Sequence, residues 1–138
     1  MARERVSRRT PGAESPGDHA AVNEVRLRGR LAVEPDAREL PSGDVVVTFR
    51  LVVDRIPVRT SGPGSTVRVD TLDCAAFAAD ARRKLLRWRA GDVLELEGSL
   101  RRRFFRAGGA AASRYEVEVR TVSRVLTAAE AARATMAG

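Results

Sequence analysis

Cysteine, histidine and lysine are nearly absent from this chain. Its 138 residues include one of each: Cys74, His19 and Lys84. A lone cysteine excludes an intramolecular disulfide and any zinc site that needs several cysteines. A Ser-His-Asp or Cys-His arrangement would depend on the single imidazole, which lies in a polar N-terminal stretch. These absences argue against a cysteine-based zinc site and against a nucleophilic triad that depends on histidine.

Long apolar runs are absent as well. No stretch approaches the ~20 consecutive apolar residues of a membrane helix. Residues 1–18 are charged and rich in proline and glycine, unlike the apolar core of a secretory signal. We therefore expect a cytoplasmic protein with no membrane partner. Its length suits one domain, because domains cluster at roughly 100–150 residues.

Arginine, by contrast, is abundant. Lysine and arginine number 25 against 18 acidic residues, which gives a formal net charge of +7, and all but one of the 25 are arginine. A GC-rich genome accounts for arginine in place of lysine, but not for the excess of basic over acidic residues. A strongly basic domain is typical of proteins that bind a polyanion, nucleic acid above all.

Alternation of apolar and polar residues predicts five strands with one buried face each. They lie near residues 25–31, 45–54, 67–77, 94–100 and 115–121. Gly29 and Gly98, inside two of these strands, indicate bends of the kind that a small closed barrel needs. Two adjacent glycines, Gly108 and Gly109, indicate a hairpin tip.

One helix interrupts the strands. Residues 78–89 carry Ala81, Leu85 and Trp88 at helical spacing, which predicts that Trp88 is a core residue. Gly91 follows and would end the helix. Five antiparallel strands with a helix between strands 3 and 4 are the arrangement of the OB-fold. This all-β, five-stranded Greek-key barrel binds oligonucleotides.

Residues 22–126 form the predicted OB-fold domain, flanked by less regular segments. Residues 1–21 lack apolar periodicity and are predicted to be disordered. Residues 127–138 are an alanine-rich tail, either a weak helix or disordered. The Gly-, Ser- and Pro-rich residues 57–66 are expected to form a mobile loop.

The alternation of side chains along each strand predicts which face of the sheet carries each of the few aromatic residues. In the third predicted strand, Phe77 lies on the polar face, opposite the face that contains the core candidate Cys74. In the fourth, extended toward the hairpin tip, Phe105 shares its parity with Arg101 and Arg103. Exposed phenylalanines beside arginines are typical of platforms on which nucleic-acid bases stack. The alternative for both rings is packing under a loop or at a subunit contact.

The run from Arg101 to Arg106 is the densest basic and aromatic cluster. Guanidinium groups pair with phosphate in a forked geometry and also stack on bases. The outward row with Arg28 and Arg30 lines the same groove or makes salt bridges across a subunit interface. Tyr115 either contacts the ligand or packs. The candidate nucleic-acid-binding residues are Phe77, Phe105, Arg101, Arg103, Arg106, Arg50, Arg55, Arg28, Arg30 and Tyr115.

These stretches together resemble the bacterial single-stranded DNA-binding protein family. Residues 23–31 (NEVRLRGRL) are similar to its opening strand. Phe77 and Phe105 match positions at which aromatic residues of the family stack on bases. The resemblance covers residues 22–126. The remaining similar stretches are the turn and second strand (Pro35, residues 41–43 and 49–51), the fourth strand (residues 91–103) and the fifth (residues 114–119).

The resemblance implies a homotetramer that wraps single-stranded DNA, with no enzymatic activity and no cofactor. It would serve DNA replication, recombination or repair, in association with the nucleoid. Thr71 stands where the family has a further stacking tryptophan, so we expect more reliance on arginine and a steep salt dependence. Residues 134–138 carry no acidic cluster, so we expect no recruitment of repair enzymes through an acidic tip.

Other functions stay open at this point. One is an OB-fold protein-interaction subunit, similar to a primosomal replication protein, with weak nucleic-acid binding. Another is an RNA-binding OB protein, because base stacking does not separate ribose from deoxyribose. A hydrolase is the remaining class, and an assay with divalent metal ions would test it.

Overall fold

The computed structural model describes residues 19–56 and 68–137. The predicted disordered segment, apart from the exposed residues 19–21, and the predicted mobile loop of residues 57–66 lie outside the described residues. The elements are β1 (Val25–Leu31), β2 (Asp36–Glu39), β3 (Val45–Asp54), β4 (Val69–Ala76), α1 (Ala79–Leu85), β5 (Val93–Ala107), β6 (Ala110–Leu126) and α2 (Ala128–Ala137).

Five of the strands close into a barrel. Around its wall, β1 pairs with β5, β5 with β6, β6 with β4, and β4 with β3. Strand β3 meets β1 again at Arg30 and Leu31, which closes the wall. This is the predicted OB-fold. Because β2 lies outside the barrel, α1 connects the third and fourth barrel strands, as the sequence indicated.

One strand pair departs from the prediction of an entirely antiparallel barrel. β4 and β6 run parallel, from Cys74 opposite Val117 to Ala76 opposite Val119. After β4 the chain passes through α1 and returns along β5. The hairpin from β5 to β6 then reverses its direction again. Strand β6 therefore runs in the same direction as β4.

Strand β2 was not predicted. Its four residues are all exposed, so they show no alternation of buried and exposed positions. The strand forms because the chain turns back at residues 40–44, where the N–H of Leu40 donates to the carbonyl of Asp44 over 2.8 Å. The predicted turn at Pro41-Ser42-Gly43 is thus the tip of a β2–β3 hairpin.

The core fills the barrel and the space under α1. It contains Leu31, Val47, Phe49, Leu51, Cys74, Ala76, Ala81, Leu85, Trp88, Leu94, Leu96, Val117, Val119 and Val122. Cys74 and Trp88 are core residues, as predicted. Burial, with a smaller effect of the neighbouring Asp73, raises the pKa of the Cys74 thiol to about 12. The cysteine is therefore a buried, unreactive thiol at neutral pH.

Gly29 and Gly98 lie where two backbones approach closely. A Cβ atom at Gly29 would overlap the carbonyl of Val52 in β3, and one at Gly98 would overlap the carbonyl of Glu118 in β6. Only glycine allows such an approach between strands. The two strand glycines of the sequence therefore mark points at which the barrel wall draws together.

A β-bulge in β6 changes which residues face the core. Gly98 lies opposite Val119, whereas the residue before it lies opposite Thr121. Arg120 is therefore the extra residue of the bulge. Beyond it, Val122 is buried and Thr121 is exposed. The alternation in the sequence predicts that Tyr115, Val117, Val119 and Thr121 form one apolar row. Val117 and Val119 are buried as predicted, whereas Tyr115 and Thr121 are exposed.

Helix α1 is shorter than predicted. It ends at Leu85, and the following turn is tighter, with the N–H of Trp88 donating to the carbonyl of Leu85 over 3.1 Å. Such i to i+3 bonds commonly finish a helix. Gly91 lies beyond this turn rather than at the end of the helix itself.

Residues 128–137 of the alanine-rich tail form helix α2. Thr127 and Glu130 form a capping box, in which the N–H of Glu130 donates to Thr127 Oγ1 (3.1 Å) and the N–H of Thr127 donates to Glu130 Oε1 (2.8 Å). Of the two alternatives for this tail, the structure shows the helix. No helix within residues 19–56 and 68–137 has the length and apolar content needed to cross a membrane.

Candidate nucleic-acid interface

The β5–β6 hairpin extends past the barrel as a two-stranded ribbon. Strand β1 pairs with β5 only as far as Gly98, and β4 pairs with β6 only from Val117 onward. Residues 99–116, here called the ribbon, therefore have no strand neighbours beyond each other in the described structure. Directly paired residues of an antiparallel ladder point to the same side, and successive pairs alternate. The ribbon thus has two solvent-facing surfaces.

The register assigns each ribbon side chain to one surface. The groove face carries Arg101, Arg103, Phe105, Ala112, Arg114 and Glu116. The back face carries Leu100, Arg102, Phe104, Arg106, Ala111, Ser113 and Tyr115. The extra residue of the bulge belongs to β6, so the alternation along β5 is unbroken. For this reason Phe105 shares a face with Arg101 and Arg103, as the alternation in the sequence predicted.

The groove face of the ribbon forms one side of an open groove. The outward residues of β3 and β4 form its floor, where Thr48 pairs with Ala75. A hollow of about 470 Å³ lies at its centre. The residues that line this hollow include Arg38, Leu40, Val46, Thr48, Ala75, Phe77, Arg103, Phe105, Arg114 and Glu116.

Phe77 and Phe105 both belong to this groove, and each ring has an arginine over it. The guanidinium carbon of Arg103 lies 5.1 Å from the centre of the Phe77 ring. That of Arg114 lies 5.4 Å from the centre of the Phe105 ring. Phe105 is 41% exposed and Phe77 is half-buried. Two aromatic rings with open surface, flanked by planar cations, offer flat faces on which a base can stack.

Carboxylates neutralise much of the positive charge in the groove. Arg103 Nε donates to Oε1 of the buried Glu116, and Arg103 Nη2 donates to Glu118 Oε1, both over 2.8 Å. Arg101 lies 3.5 Å from Glu118, and Arg114 lies 3.8 Å from Glu116. Partial burial alone would lower the pKa of Arg103, but its two carboxylate partners raise it. Arg103 therefore stays charged.

The groove continues in both directions from its central hollow. Toward β2, an adjoining hollow shares Arg38, Thr48, Arg114 and Glu116 with it and also reaches Arg50. Toward the barrel end, a second one shares Phe77 and extends along Ser99, Arg101 and Arg120. Arg50, whose Nε lies 3.3 Å from Asp73, is thus at one end, and Arg101 is at the other.

Five predicted site residues lie outside the groove. Arg28 on β1 binds Glu95 of β5 over 2.7 Å, and Arg30 on β1 binds Asp54 at the end of β3 over 3.2 Å. Lining the groove was one of two alternatives for this row, and the structure places the row away from the groove, because β1 pairs with the part of β5 that precedes the ribbon. Arg55 is held by Asp70 over 2.9 Å. Arg106 and Tyr115 are on the back face.

Several groove residues were not predicted. Arg114, Arg38, Thr48 and Glu116 were all missed. The sequence did carry a signal for Arg114. Counting residue pairs outward from the predicted hairpin tip at Gly108-Gly109 places Arg114 opposite Arg103. Arg38 has no such signal, since β2 leaves no alternation in the sequence. The described residues contain no group of three His, Cys, Asp or Glu side chains able to hold a metal ion.

The chain is similar to known proteins both in sequence and in fold. A model of the single-strand binding protein family matches residues 22–125. Among solved structures, the chain is similar to a Plasmodium falciparum SSB complex with ssDNA. The TM-score is 0.64 and the identity is 21%, over 76% of this chain and 96% of that one. No curated protein matches the chain significantly. At that identity the structural likeness concerns the fold.

Proposed function

This chain belongs to the single-strand binding protein family, and from that membership we propose that it binds single-stranded DNA without sequence preference. The observation that carries the proposal is the groove, in which Phe77 and Phe105 lie on the same open surface with arginines over both rings. Every base has a flat π-face, so stacking on phenylalanine tolerates any sequence. Duplex DNA keeps its bases stacked inside and offers no such faces.

The arginines of the groove supply the second part of the interaction. Among the described residues, Arg101, Arg103 and Arg114 pair with two carboxylates, Glu116 and Glu118, so this cluster of described side chains keeps a net positive charge. A phosphate backbone that follows the groove would compete with these carboxylates for the guanidinium groups. Binding therefore depends on salt, but less steeply than the number of arginines alone would require.

The experiment is a fluorescence-anisotropy titration of labelled oligo-dT, with a matched duplex as control, at low and moderate salt. We expect tight binding to the single strand, weak binding to the duplex, and partial loss with salt. Equal binding to both forms would show that the arginines act as a general polyanion surface. A matched oligo-U then shows whether RNA is bound as well.

Removing the rings tests the stacking platform directly. Phe77→Ala and Phe105→Ala should each weaken oligo-dT binding by about 1–3 kcal/mol, the typical contribution of one stacked base. The control is Met136→Ala, because Met136 is exposed on α2 and far along the chain from the groove residues. If the double phenylalanine variant folded and bound like the wild type, the groove would not be the binding surface.

We also propose that the chain assembles as the homotetramer implied by its family resemblance, and acts in DNA replication, recombination or repair. One edge of β1 supports self-association. Residues 25–29 pair with β5 on one side and with no described strand on the other. A free strand edge is a template for pairing with another chain. Light scattering should give four times the 15.0 kDa chain mass; a value of one chain mass would refute the assembly.

A further inference from the structure

The back face of the ribbon exposes three large apolar side chains together. Phe104 is 77% exposed, Tyr115 is 60% exposed and Leu100 is 45% exposed. The register puts all three on the same side of the two strands. Exposed apolar groups that cluster on one surface, instead of being scattered singly, mark an interaction site. Phe104 also borders the central hollow of the groove, but Leu100 and Tyr115 line none of its hollows.

Arg102 joins the two aromatic rings of this surface. Its guanidinium carbon lies 5.5 Å from the centre of the Phe104 ring and 5.3 Å from the centre of the Tyr115 ring. Nε and Nη2 donate to Ser113 Oγ over 3.2 and 3.0 Å, and Nη1 donates to the Tyr115 hydroxyl over 3.4 Å. The rings and the cation are therefore held in one arrangement before any ligand arrives.

The charge of the back face differs from that of the groove. Arg102 and Arg106 are its ionisable residues besides the phenol of Tyr115, and neither arginine forms an ion pair with a described carboxylate. In the groove, by contrast, Arg101, Arg103 and Arg114 all face glutamates. The back face thus presents two uncompensated guanidinium groups beside two open aromatic rings. A ligand that matches it carries negative charge and flat, unpaired rings.

We propose that the back face of the ribbon is a second stacking platform, which binds the continuation of the same DNA single strand that lies in the groove. The proposal rests on the proposed function. Phosphates satisfy the uncompensated arginines, and bases stack on Phe104 and Tyr115. The two faces are joined at the edge of the ribbon, because Phe104 also borders the central hollow of the groove. A strand that passes Phe105 therefore reaches Phe104 as it turns around the ribbon.

The test compares oligo-dT of two lengths, because OB-folds occupy roughly 4–16 nucleotides. One oligomer is about 5 nucleotides long, enough for the groove, and the other is about 15. The back-face variant Tyr115→Ala should lose roughly ten-fold in affinity for the longer strand. It should bind the shorter one like the wild type, because Tyr115 lines none of the hollows of the groove. Phe77→Ala/Phe105→Ala should lose affinity for both lengths.

A conservative variant separates stacking from packing. Tyr115→Phe keeps the ring and removes the hydroxyl that Arg102 contacts, so it should retain the affinity for the longer strand. Met136→Ala serves as the exposed control, and circular dichroism checks that each variant is folded. Tyr115 and Met136 are exposed, so their substitution leaves the core unchanged.

The remaining outcomes contradict either the proposed function or the second platform alone. If the wild type binds neither oligomer, the proposed function fails, and this proposal with it. If the wild type binds both and the back-face variant binds both equally well, only the second platform is refuted. If the variant keeps its affinity but changes its mass in light scattering, the back face is a protein–protein contact and the proposal is wrong.

Discussion

The arginines of the groove are already occupied by carboxylates in the free protein. Arg103 is bound by Glu116 and Glu118 at 2.8 Å each, and Glu116 is almost fully buried beneath it. This pairing fixes the guanidinium over Phe77. It also means that a phosphate gains less from Arg103 than it would from a free arginine, since the existing ion pair must rearrange. We therefore expect Glu116 to shape the proposed site and to weaken its attraction for DNA at the same time.

Glu116→Gln tests this double role. The amide keeps a hydrogen bond to Arg103 and removes one negative charge from the groove. We expect affinity for oligo-dT to rise a few-fold at low salt, and the slope of log affinity against log salt to steepen by up to about one unit, as for one further phosphate contact. Glu39→Gln makes the same charge change at an exposed residue outside the groove. A similar rise in both variants would show a general charge effect.

At the scale of elements, a buried aspartate attaches α2 to the barrel. Asp92 accepts hydrogen bonds from the N–H of Arg89 (2.9 Å) and of Ala128 (2.7 Å), and from Arg124 Nη1 (3.4 Å). Burial alone would raise the pKa of Asp92, but these donors hold it below its ordinary value. The carboxylate form is thus the one that joins the turn before β5, the end of β6 and the first residue of α2.

Asp92→Asn should destabilise the protein by about 1–3 kcal/mol, the cost of leaving buried donors poorly satisfied. The contribution of Asp92 is present above the pKa of about 3.9 that the group has in the unfolded chain, and is lost as the pH falls through its lower folded-state pKa. The stability gap between wild type and variant should therefore be full at pH 7 and shrink below about pH 4. Urea unfolding across that range measures it, and a gap independent of pH would contradict the assignment.

At the scale of the whole molecule, the arginines of the described barrel lie on separate walls. Arg26 and Arg28 share Glu95, whose pKa their hydrogen bonds lower, and Arg30 pairs with Asp54. This wall is formed by β1 and lies apart from the groove, which β3, β4 and the ribbon form. Charges more than about 8–10 Å from a phosphate are largely screened at physiological salt.

The position of each arginine should therefore matter more than their number. Arg28→Gln and Arg101→Gln remove the same charge from different walls. We expect Arg101→Gln to weaken oligo-dT binding several-fold at moderate salt, and Arg28→Gln to change it less than about two-fold, because of screening. Anisotropy at two salt concentrations distinguishes them. Equal losses would mean that the strand also follows the β1 wall.

Much of the fold could be read from the chain because strand alternation and helix spacing are local patterns. The five barrel strands, the helix before β5 and the hairpin tip at Gly108-Gly109 were all predicted. So was the outward parity of Phe77 and Phe105, since parity along an unbroken strand needs no tertiary information. Strand β2 escaped prediction because all its residues are exposed. Helix α2 was left undecided, although Thr127 and Glu130 stand at capping-box spacing.

The sequence by itself determined that this protein is a basic OB-fold barrel with two outward phenylalanines, because those features arise from composition and from patterns within single strands. Only the tertiary structure decided which residues share a surface. Barrel closure placed Arg28 and Arg30 on a wall away from Phe105, and the ribbon separated Tyr115 and Arg106 from the groove. It also brought Glu116 beneath Arg103. These juxtapositions depend on pairing between strands distant in the chain, and periodicity within one strand carries no information about its neighbours.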